Sequence, residues 1–143
     1  MSKIIFQLNK RFRLEEIKTS SDDRGYLSKF QFDNHQFFTP KEFFLVYGVP
    51  EGQIRGQHAH HNCHQILISA SGSVNVDVDD GSQKEQFTLN RQDFALYLPP
   101  YTWASQSKFS KDAVLLVFCS EYYDPADYIK NYDEFKEITS LTN

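Results

Sequence analysis

The residues best suited to carry chemistry are concentrated in one stretch, IRGQHAHHNCHQ, which runs from Ile54 to Gln65. It holds four of the five histidines of the chain, together with Arg55 and Cys63. Neutral imidazole titrates at about pH 6.5, so two histidines in a cleft can take a proton from one atom and return one to its neighbour. The stretch therefore indicates an acid–base site, a metal site or only a polar strand.

Strand geometry selects two of these histidines. On a β-strand, His58 and His60 point to one face, roughly 6.5 Å apart along the strand, with Gln57 and Ala59 on the other face. This spacing predicts that the two imidazoles act together. The other histidines are expected to be solvated or otherwise non-catalytic: His35, His61 and His64.

Arg55 precedes His58 by three residues and keeps its positive charge at any physiological pH. A guanidinium in this place suits a phosphate or an oxygen that becomes negative during a reaction. A plain surface charge is the alternative interpretation of Arg55.

Composition narrows the class of protein. The chain has 143 residues, a net charge of −4, 13 Phe and 8 Tyr. These values predict a single domain over residues 1–143 that binds small molecules or proteins, since binders of nucleic acid or membranes concentrate Lys and Arg. Cys63 and Cys119 are the two cysteines, and no apolar signal core or membrane span is apparent. We therefore expect a cytoplasmic protein with two free thiols.

Most of the chain has the patterns of short β-strands. In GSVNVDVDDGSQKEQFTLN, alternating valines from Val74 to Val78 lead into an Asp80-Gly81 turn and a returning strand. The apolar run Val114 to Cys119 is expected to be buried between two sheets. Only the C-terminal segment is helical in pattern, with Asp124 as N-cap and Pro125 at the first helical position. These patterns predict an all-β sandwich or barrel with a short C-terminal helical segment.

The spacing around the histidine pair resembles the first motif of the cupin superfamily, from Gly52 through His58, His60 and Gln65 to Gly72. This resemblance implies a jelly roll, or double-stranded β-helix. Metal-binding cupins have a glutamate at the Gln65 position and a histidine where PPYTWA has Ala104. Gln is a weak ligand and Ala is none, so we predict no metal and no other cofactor.

A wider pattern resembles the sugar-nucleotide 3,4-ketoisomerases, a group of small cupin-type enzymes. The matching segments are DDRGYL, RGQHAH, GSVNVDVDDG, LYLPPYTW, FSKDAVLLVFCS and YYDPADYIKNYDEF. They extend from Asp22 to Phe135, which is most of the chain.

The resemblance implies an activity and a site. Family members move a carbonyl from C-4 to C-3 of dTDP-4-keto-6-deoxyglucose, in bacterial routes to 3-amino-3,6-dideoxysugars of surface polysaccharides. They use no metal and form homodimers that exchange strands. By correspondence, His58 is the base, His60 its catalytic neighbour and Arg55 a contact to substrate oxygens.

Three further residues are candidates for substrate binding, each with a structural alternative. Arg24, beside Gly25, would contact the nucleotide or diphosphate, or lie in an exposed turn. Tyr47 would contact the substrate or pack in the core, and Trp103 would flank the sugar or fill the core. Acidic residues near the C-terminus, such as Asp127, are interpreted as turn and capping residues.

Two alternatives stay open from the sequence. One is a non-catalytic cupin that binds nucleotide sugars, and the other is a 3,5-epimerase acting on the same substrate. A metal-dependent dioxygenase is a more distant possibility. Ala104 also follows Trp103 where several relatives carry a polar residue, which leaves the galacto and gluco products both open.

Overall fold

Short strands account for most of the described residues, 3–8, 11–32 and 38–142, of this computed structural model. In chain order they are β1 (Lys3–Leu8), β2 (Phe12–Glu16), β3 (Lys18–Asp22), β4 (Gly25–Lys29), β5 (Glu42–Tyr47), β6 (Arg55–His60), β7 (Gln65–Ser71), β8 (Val74–Asp79), β9 (Lys84–Leu89), β10 (Phe94–Leu98), β11 (Trp103–Ser107), β12 (Val114–Cys119) and β13 (Tyr128–Ile129). The predicted all-β class is confirmed. The surface turn expected at His35 lies outside the described residues.

Two antiparallel sheets pack face to face. The larger has the strand order β1-β2-β10-β7-β12-β5, and the smaller has β13-β6-β11-β8-β9. Their facing side chains form one apolar cluster that includes Leu67, Val76, Leu96 and Leu115. This is the two-sheet architecture expected of a jelly roll, and burial of these apolar side chains is its main stabilising term.

The predicted hairpin is confirmed. β8 pairs with β9, and Val74, Val76 and Val78 point inward with at most 2% of their surface exposed. The alternation of valine with polar residues produces this result because successive strand side chains face opposite ways. At the turn, the Asp80 carboxylate accepts hydrogen bonds from the backbone N–H groups of Ser82 and Gln83, both at 2.9 Å.

The prediction for Val114 to Cys119 was only half right. Leu115, Val117 and Cys119 are buried between the sheets. Their neighbours point to the outer face, where Phe118 joins a second apolar cluster with Ile66 and Ile68. A continuous apolar run is therefore explained here by apolar packing on both faces of β12.

The C-terminal segment contains two helical pieces. Asp124 caps a 3₁₀ turn, Pro125–Asp127, by accepting a hydrogen bond from Ala126 N at 3.0 Å, as its sequence predicts. Helix α1 (Tyr132–Thr142) then packs Phe135 against the outer side of β6. No helix in the described part of the chain is long and apolar enough to span a membrane.

One hairpin stands apart from the sandwich. β3 and β4 pair only with each other, and every residue in both strands is exposed. We call residues 18–29 the arm. The edge strand β5 is similarly uncovered on one side, with Phe43, Leu45 and Tyr47 between 48% and 70% exposed. Isolated two-stranded hairpins are only marginally stable in water.

Candidate active site

A cavity of about 570 Å³ opens between the two sheets. Its lining combines apolar residues of the larger sheet with polar residues of the smaller sheet and the segment after it. The apolar residues are Phe44, Val46, Leu67 and Val117, and the others are Gln65 of the larger sheet and Arg55, Gly56, Gln57, His58, Gln106, Tyr128 and Lys130. A concave site with an apolar floor and a few convergent polar groups is the usual form of a small-molecule site.

A β-bulge in β6 aims the histidine pair. β11 pairs Ala104 with His58 and Ser105 with Gly56, so Gln57 has no partner of its own. Gly56 and Gln57 have φ values of 82° and 61°. A Cβ on Gly56 would lie 2.9 Å from the Ala104 carbonyl oxygen, which explains the glycine. Bulges commonly redirect side chains beside active sites, and positive φ at Gln57 is strain of the kind found there.

The bulge corrects one prediction. Gln57 was expected on the face opposite His58, but it lines the same cavity because the bulge interrupts the alternation. Alternation resumes at His58. Ala59 is fully buried against helix α1, while His58 and His60 share the inner face with ring centroids 5.0 Å apart.

The two histidines occupy different depths. His58 lines the cavity, whereas His60 is only 6% exposed and lies behind it. The Tyr128 ring contacts both imidazoles, with centroid distances of 4.8 Å to His58 and 4.4 Å to His60. Three aromatic rings thus hold one another at the inner end of the cavity.

Burial controls protonation in this cluster. Burial, and next the neighbouring His60, lower the pKa of His58 to about 4, against a hydrogen bond to Gly56 that raises it. Burial also lowers the pKa of His60, although the hydrogen bond to Asp127 opposes this. Burial raises the pKa of Tyr128 to about 12. At neutral pH, His58 is therefore a neutral proton acceptor and Tyr128 a protonated donor.

Asp127 anchors the deeper histidine. Its carboxylate lies 3.0 Å from His60 Nδ1 and accepts hydrogen bonds from the backbone N–H groups of Asn62 (2.7 Å) and Cys63 (3.2 Å). Donor atoms of His60, Cys63 and Asp127 lie within 4.8 Å of one another, close enough for a metal ion. These hydrogen bonds already engage His60 Nδ1 and the Asp127 carboxylate, so we interpret the group as a hydrogen-bonded cluster.

The two positions that decide the cupin metal motif lie beside the histidines. Gln65 lines the cavity and donates a hydrogen bond to Cys119 Sγ at 3.7 Å. Ala104 is the strand partner of His58 and is buried in the core. Neither the Gln65 amide nor the Ala104 methyl group is a good metal ligand.

Three candidate residues lie away from this cavity. Arg24 is at the tip of the arm, where its guanidinium bonds the Asp22 carboxylate at 2.6 Å. Tyr47 is on the uncovered side of β5, because its neighbour Val46 takes the inward position. Trp103 packs against Tyr132 and Phe135 on the helix side of β11, because Ala104 points inward. The structure therefore brings only Arg55, His58 and His60 together.

The remaining histidines of the stretch have separate partners. His61 Nδ1 lies 3.3 Å from the Tyr101 hydroxyl, and His64 Nδ1 lies 2.7 Å from the Tyr97 hydroxyl. Neither lines the cavity that His58 lines. The expectation that both stand outside the site agrees with these positions.

Three residues beside the histidines were not singled out from the sequence. The sequence indicates only a turn or capping role for Asp127, and its patterns do not distinguish Tyr128 or Lys130 as site residues. All three belong to DYIK, whose two central residues pair as β13 with the end of β6. Their shared location in a specific motif was the signal that could have found them.

Comparison with known proteins identifies the family of this chain. The family model described as FdtA: WxcM-like, C-terminal matches residues 10–140. A TDP-4-oxo-6-deoxy-alpha-D-glucose-3,4-oxoisomerase of Aneurinibacillus thermoaerophilus is 34% identical over 122 residues, which cover 85% of this chain and 88% of that protein.

Solved structures agree as well. The QdtA 3,4-ketoisomerase of Thermoanaerobacterium thermosaccharolyticum, in a variant complexed with TDP, superposes with a TM-score of 0.89 at 32% identity, covering 95% of this chain and 98% of its own. The WlaRB TDP-quinovose 3,4-ketoisomerase of Campylobacter jejuni gives 0.83 at 36% identity, covering 90% and 98%. The sequence-based prediction of family and enzyme class is confirmed: this chain belongs to the FdtA, WxcM-like family of sugar-nucleotide 3,4-ketoisomerases.

Proposed function

We propose that the cavity beside His58 binds dTDP-4-keto-6-deoxyglucose and isomerises it to the 3-keto sugar by proton transfer alone. The observation that carries this proposal is the placement of His58, which lines the cavity and is neutral at physiological pH. A neutral imidazole with its ring held by Tyr128 and His60 is a suitable general base.

The reaction needs one base and one stabilised oxyanion. The C-4 carbonyl acidifies the C-3 hydrogen, which His58 removes. The electron pair forms the C-3–C-4 double bond, and O-4 becomes anionic. O-4 takes up a proton to give the enediol, and a proton then adds to C-4 while the O-3 hydroxyl loses its proton and becomes the new carbonyl. C-3 and O-3 each lose one proton and C-4 and O-4 each gain one, so the product is an isomer of the substrate.

The polar lining suits the charge that develops. Arg55 and Lys130 bring fixed positive charge to the cavity, and the Tyr128 hydroxyl stays protonated. Donors and cations of this kind stabilise an enediolate or a diphosphate in a site partly shielded from water. Phe44, Val46 and Leu67 supply the apolar side of the cavity. Trp103 is left out of this proposed site because it packs beside helix α1.

The proposed mechanism uses no metal. Gln65 and Ala104 stand where metal-binding cupins place two ligands, and they support this part of the proposal. Elemental analysis of purified protein tests it: we expect far less than one metal ion per chain and full activity after chelation. About one bound metal per chain, with activity lost on its removal, would contradict it.

We also propose that the enzyme is a homodimer in which the arm is exchanged between subunits. Two exposed surfaces support this: the arm, with Tyr26 86% and Leu27 59% exposed, and the uncovered side of β5. A β-edge and a lone hairpin with exposed apolar residues are stabilised when another chain covers them. Light scattering of the purified protein should give twice the mass of one chain.

In this dimer Arg24 acts on the partner's site, and Tyr47 lies where the arm of the partner is received. The test is co-expression of R24A and H58N chains. If Arg24 acts across the interface, one site of each mixed dimer is complete, and activity recovers to about a quarter of wild type. If Arg24 acts within its own chain, every site is damaged and the mixture stays inactive.

The decisive experiment follows the substrate in D₂O by NMR, with chelator-treated protein. We expect a 3-keto product with deuterium at C-4, and the configuration at C-4 distinguishes the galacto from the gluco product. Loss of this conversion in H58N, with TDP binding retained, supports the proposed base. Deuterium at C-5 would indicate epimerase chemistry, and binding without conversion would indicate a nucleotide-sugar-binding protein.

The two buried free cysteines, Cys63 and Cys119, support a cytoplasmic location in this proposal. Fractionation of the source cells is the corresponding test. Enzyme recovered with the cytoplasmic fraction is the expected result.

A further inference from the structure

Asp127 is a buried carboxylate that the proposed proton transfer does not use. It is 8% exposed and lies at the end of the 3₁₀ turn, far along the chain from the histidine stretch. Its oxygens meet His60 Nδ1 at 3.0 Å and two backbone N–H groups, those of Asn62 and Cys63. A carboxylate with this many donors is well satisfied in its ionised form.

These contacts determine which nitrogen of His60 carries hydrogen. An ionised carboxylate only accepts hydrogen bonds, so Nδ1 must be the donor when the imidazole is neutral. Nε2 is then free of hydrogen. Nε2 is buried and has no hydrogen-bond partner among the described residues. Most buried polar atoms have a hydrogen-bond partner, so this unpaired nitrogen is an unusual feature of the cluster.

The His60 ring lies between two other aromatic rings. The His60 ring contacts the His58 ring on one side and the Tyr128 ring on the other. Both His58 and Tyr128 line the cavity, while His60 does not. His60 therefore lies behind His58 and Tyr128. We expect the orientation of its ring to affect a bound substrate through its contacts with these two rings.

We propose that Asp127 is a positioning residue of the ketoisomerase, which holds His60 in the Nδ1–H form behind His58 and Tyr128. The inference rests on the proposed function. A carboxylate that orients a histidine and selects its tautomer is a recurring arrangement in enzymes, in which the carboxylate itself does not exchange protons with substrate.

The Asp127 side chain does not cap its own turn. The 3₁₀ turn is already capped by Asp124, and its first hydrogen bond is between Asp124 Oδ1 and Ala126 N. The contacts of Asp127 go instead to His60 and to the connection that follows β6. Asp124 is exposed and on the same turn, which makes D124N a matched control for D127N.

The tautomer can be read directly from the wild-type protein. Long-range ¹H–¹⁵N NMR spectra of histidine side chains separate Nδ1–H from Nε2–H forms. We expect His60 as Nδ1–H in wild type and in D124N. In D127N the new amide can donate to Nδ1, so we expect the Nε2–H form. An Nε2–H form of His60 in the wild type would overturn the inference, whether or not D127N folds.

Kinetics provide the second test. We expect kcat of D127N to fall about 10- to 100-fold, as is typical for residues that orient a functional histidine. TDP affinity should be unchanged, because Asp127 does not line the cavity. If Asp127 acts through His60, the double variant H60N/D127N should be no slower than H60N, and D124N should resemble wild type.

Two failures can be told apart. A wild-type protein that binds TDP but converts no substrate would refute the proposed function, while the tautomer remains measurable. An active wild type whose folded D127N variant keeps full kcat would refute the positioning role alone. Multiplicative losses in H60N/D127N would also refute it, since they would give Asp127 a separate path to the reaction.

Discussion

The histidines of RGQHAHHNCH divide into an inner pair and an outer pair. His58 and His60 lie between the sheets with their rings in contact, and burial lowers the pKa of each. His61 and His64 each meet a tyrosine hydroxyl instead, at Tyr101 and Tyr97. The same side chain is thus placed in two settings within seven residues. Of these four histidines only His58 lines the cavity, so residue type alone does not identify the group that acts on the substrate.

Removing the imidazole of His58 should have the largest effect on kcat. In H58N we expect kcat to fall about 10²- to 10⁴-fold, because the proposed general base is lost. H61N removes the same ring from the outer pair and should change kcat less than about twofold. Steady-state assays of both variants make the comparison, and equal losses in the two would erase the distinction between the pairs.

Displacing the inner pair without removing it should have a smaller effect. In G56A the new Cβ would meet the Ala104 carbonyl oxygen at 2.9 Å. The bulge must shift, and we expect kcat to fall about 10- to 100-fold, since displacements near 1 Å have this cost.

Gly52 provides the matched control. Its φ of 84° is close to the 82° of Gly56, yet a Cβ there meets nothing within 4 Å. G52A should therefore show the backbone strain, about 1–3 kcal/mol in the free energy of unfolding, with kcat near wild type. Equal kcat in G56A and G52A would mean that the bulge does not aim His58.

The pH dependence of the reaction reports on the titration of His58. The acid limb of kcat/KM should lie at about pH 4, where His58 takes up its proton, instead of at the ordinary 6.5. The folded-state pKa lies below the unfolded value, so His58 does not reduce stability above pH 6.5 and reduces it progressively as pH falls toward 4. If the acid limb of kcat/KM lies at about pH 6.5 instead, the general base is a group other than His58.

The smallest effect is expected in the outer pair. H64A removes the 2.7 Å hydrogen bond to the Tyr97 hydroxyl. The free energy of unfolding should fall by about 1 kcal/mol, measured by urea denaturation, with no change in kcat. A loss of kcat beyond about tenfold in H64A would mean that the outer pair contributes to the reaction, which would contradict the distinction between the two pairs.

Much of the fold was accessible from the sequence because strand periodicity is local. Alternation in β8 and the HxH spacing of β6 each depend on residues two apart, and both predictions agree with the structure. Where alternation is absent, orientation was not predictable. FFLVY is apolar at every position, so the sequence alone could not say that Val46, and not Tyr47, faces the cavity.

Other parts of the site depend on events that periodicity does not describe. Gln57 turns into the cavity because two successive residues adopt positive φ. Asp127 reaches His60 across 67 positions of sequence, a distance at which no local pattern constrains pairing. Arg24 and Tyr47 lie away from the cavity of their own chain, so their proposed contribution depends on a second chain.

The bulge in β6 has a consequence for how the enzyme meets its substrate. Its shape is set by backbone dihedrals and by the close approach of Gly56 to Ala104, and His58 is wedged against Tyr128 and His60. The proposed base is thus preorganised before substrate binds. Substrate binding need not freeze its rotamers, and the free energy of binding remains for orienting the sugar.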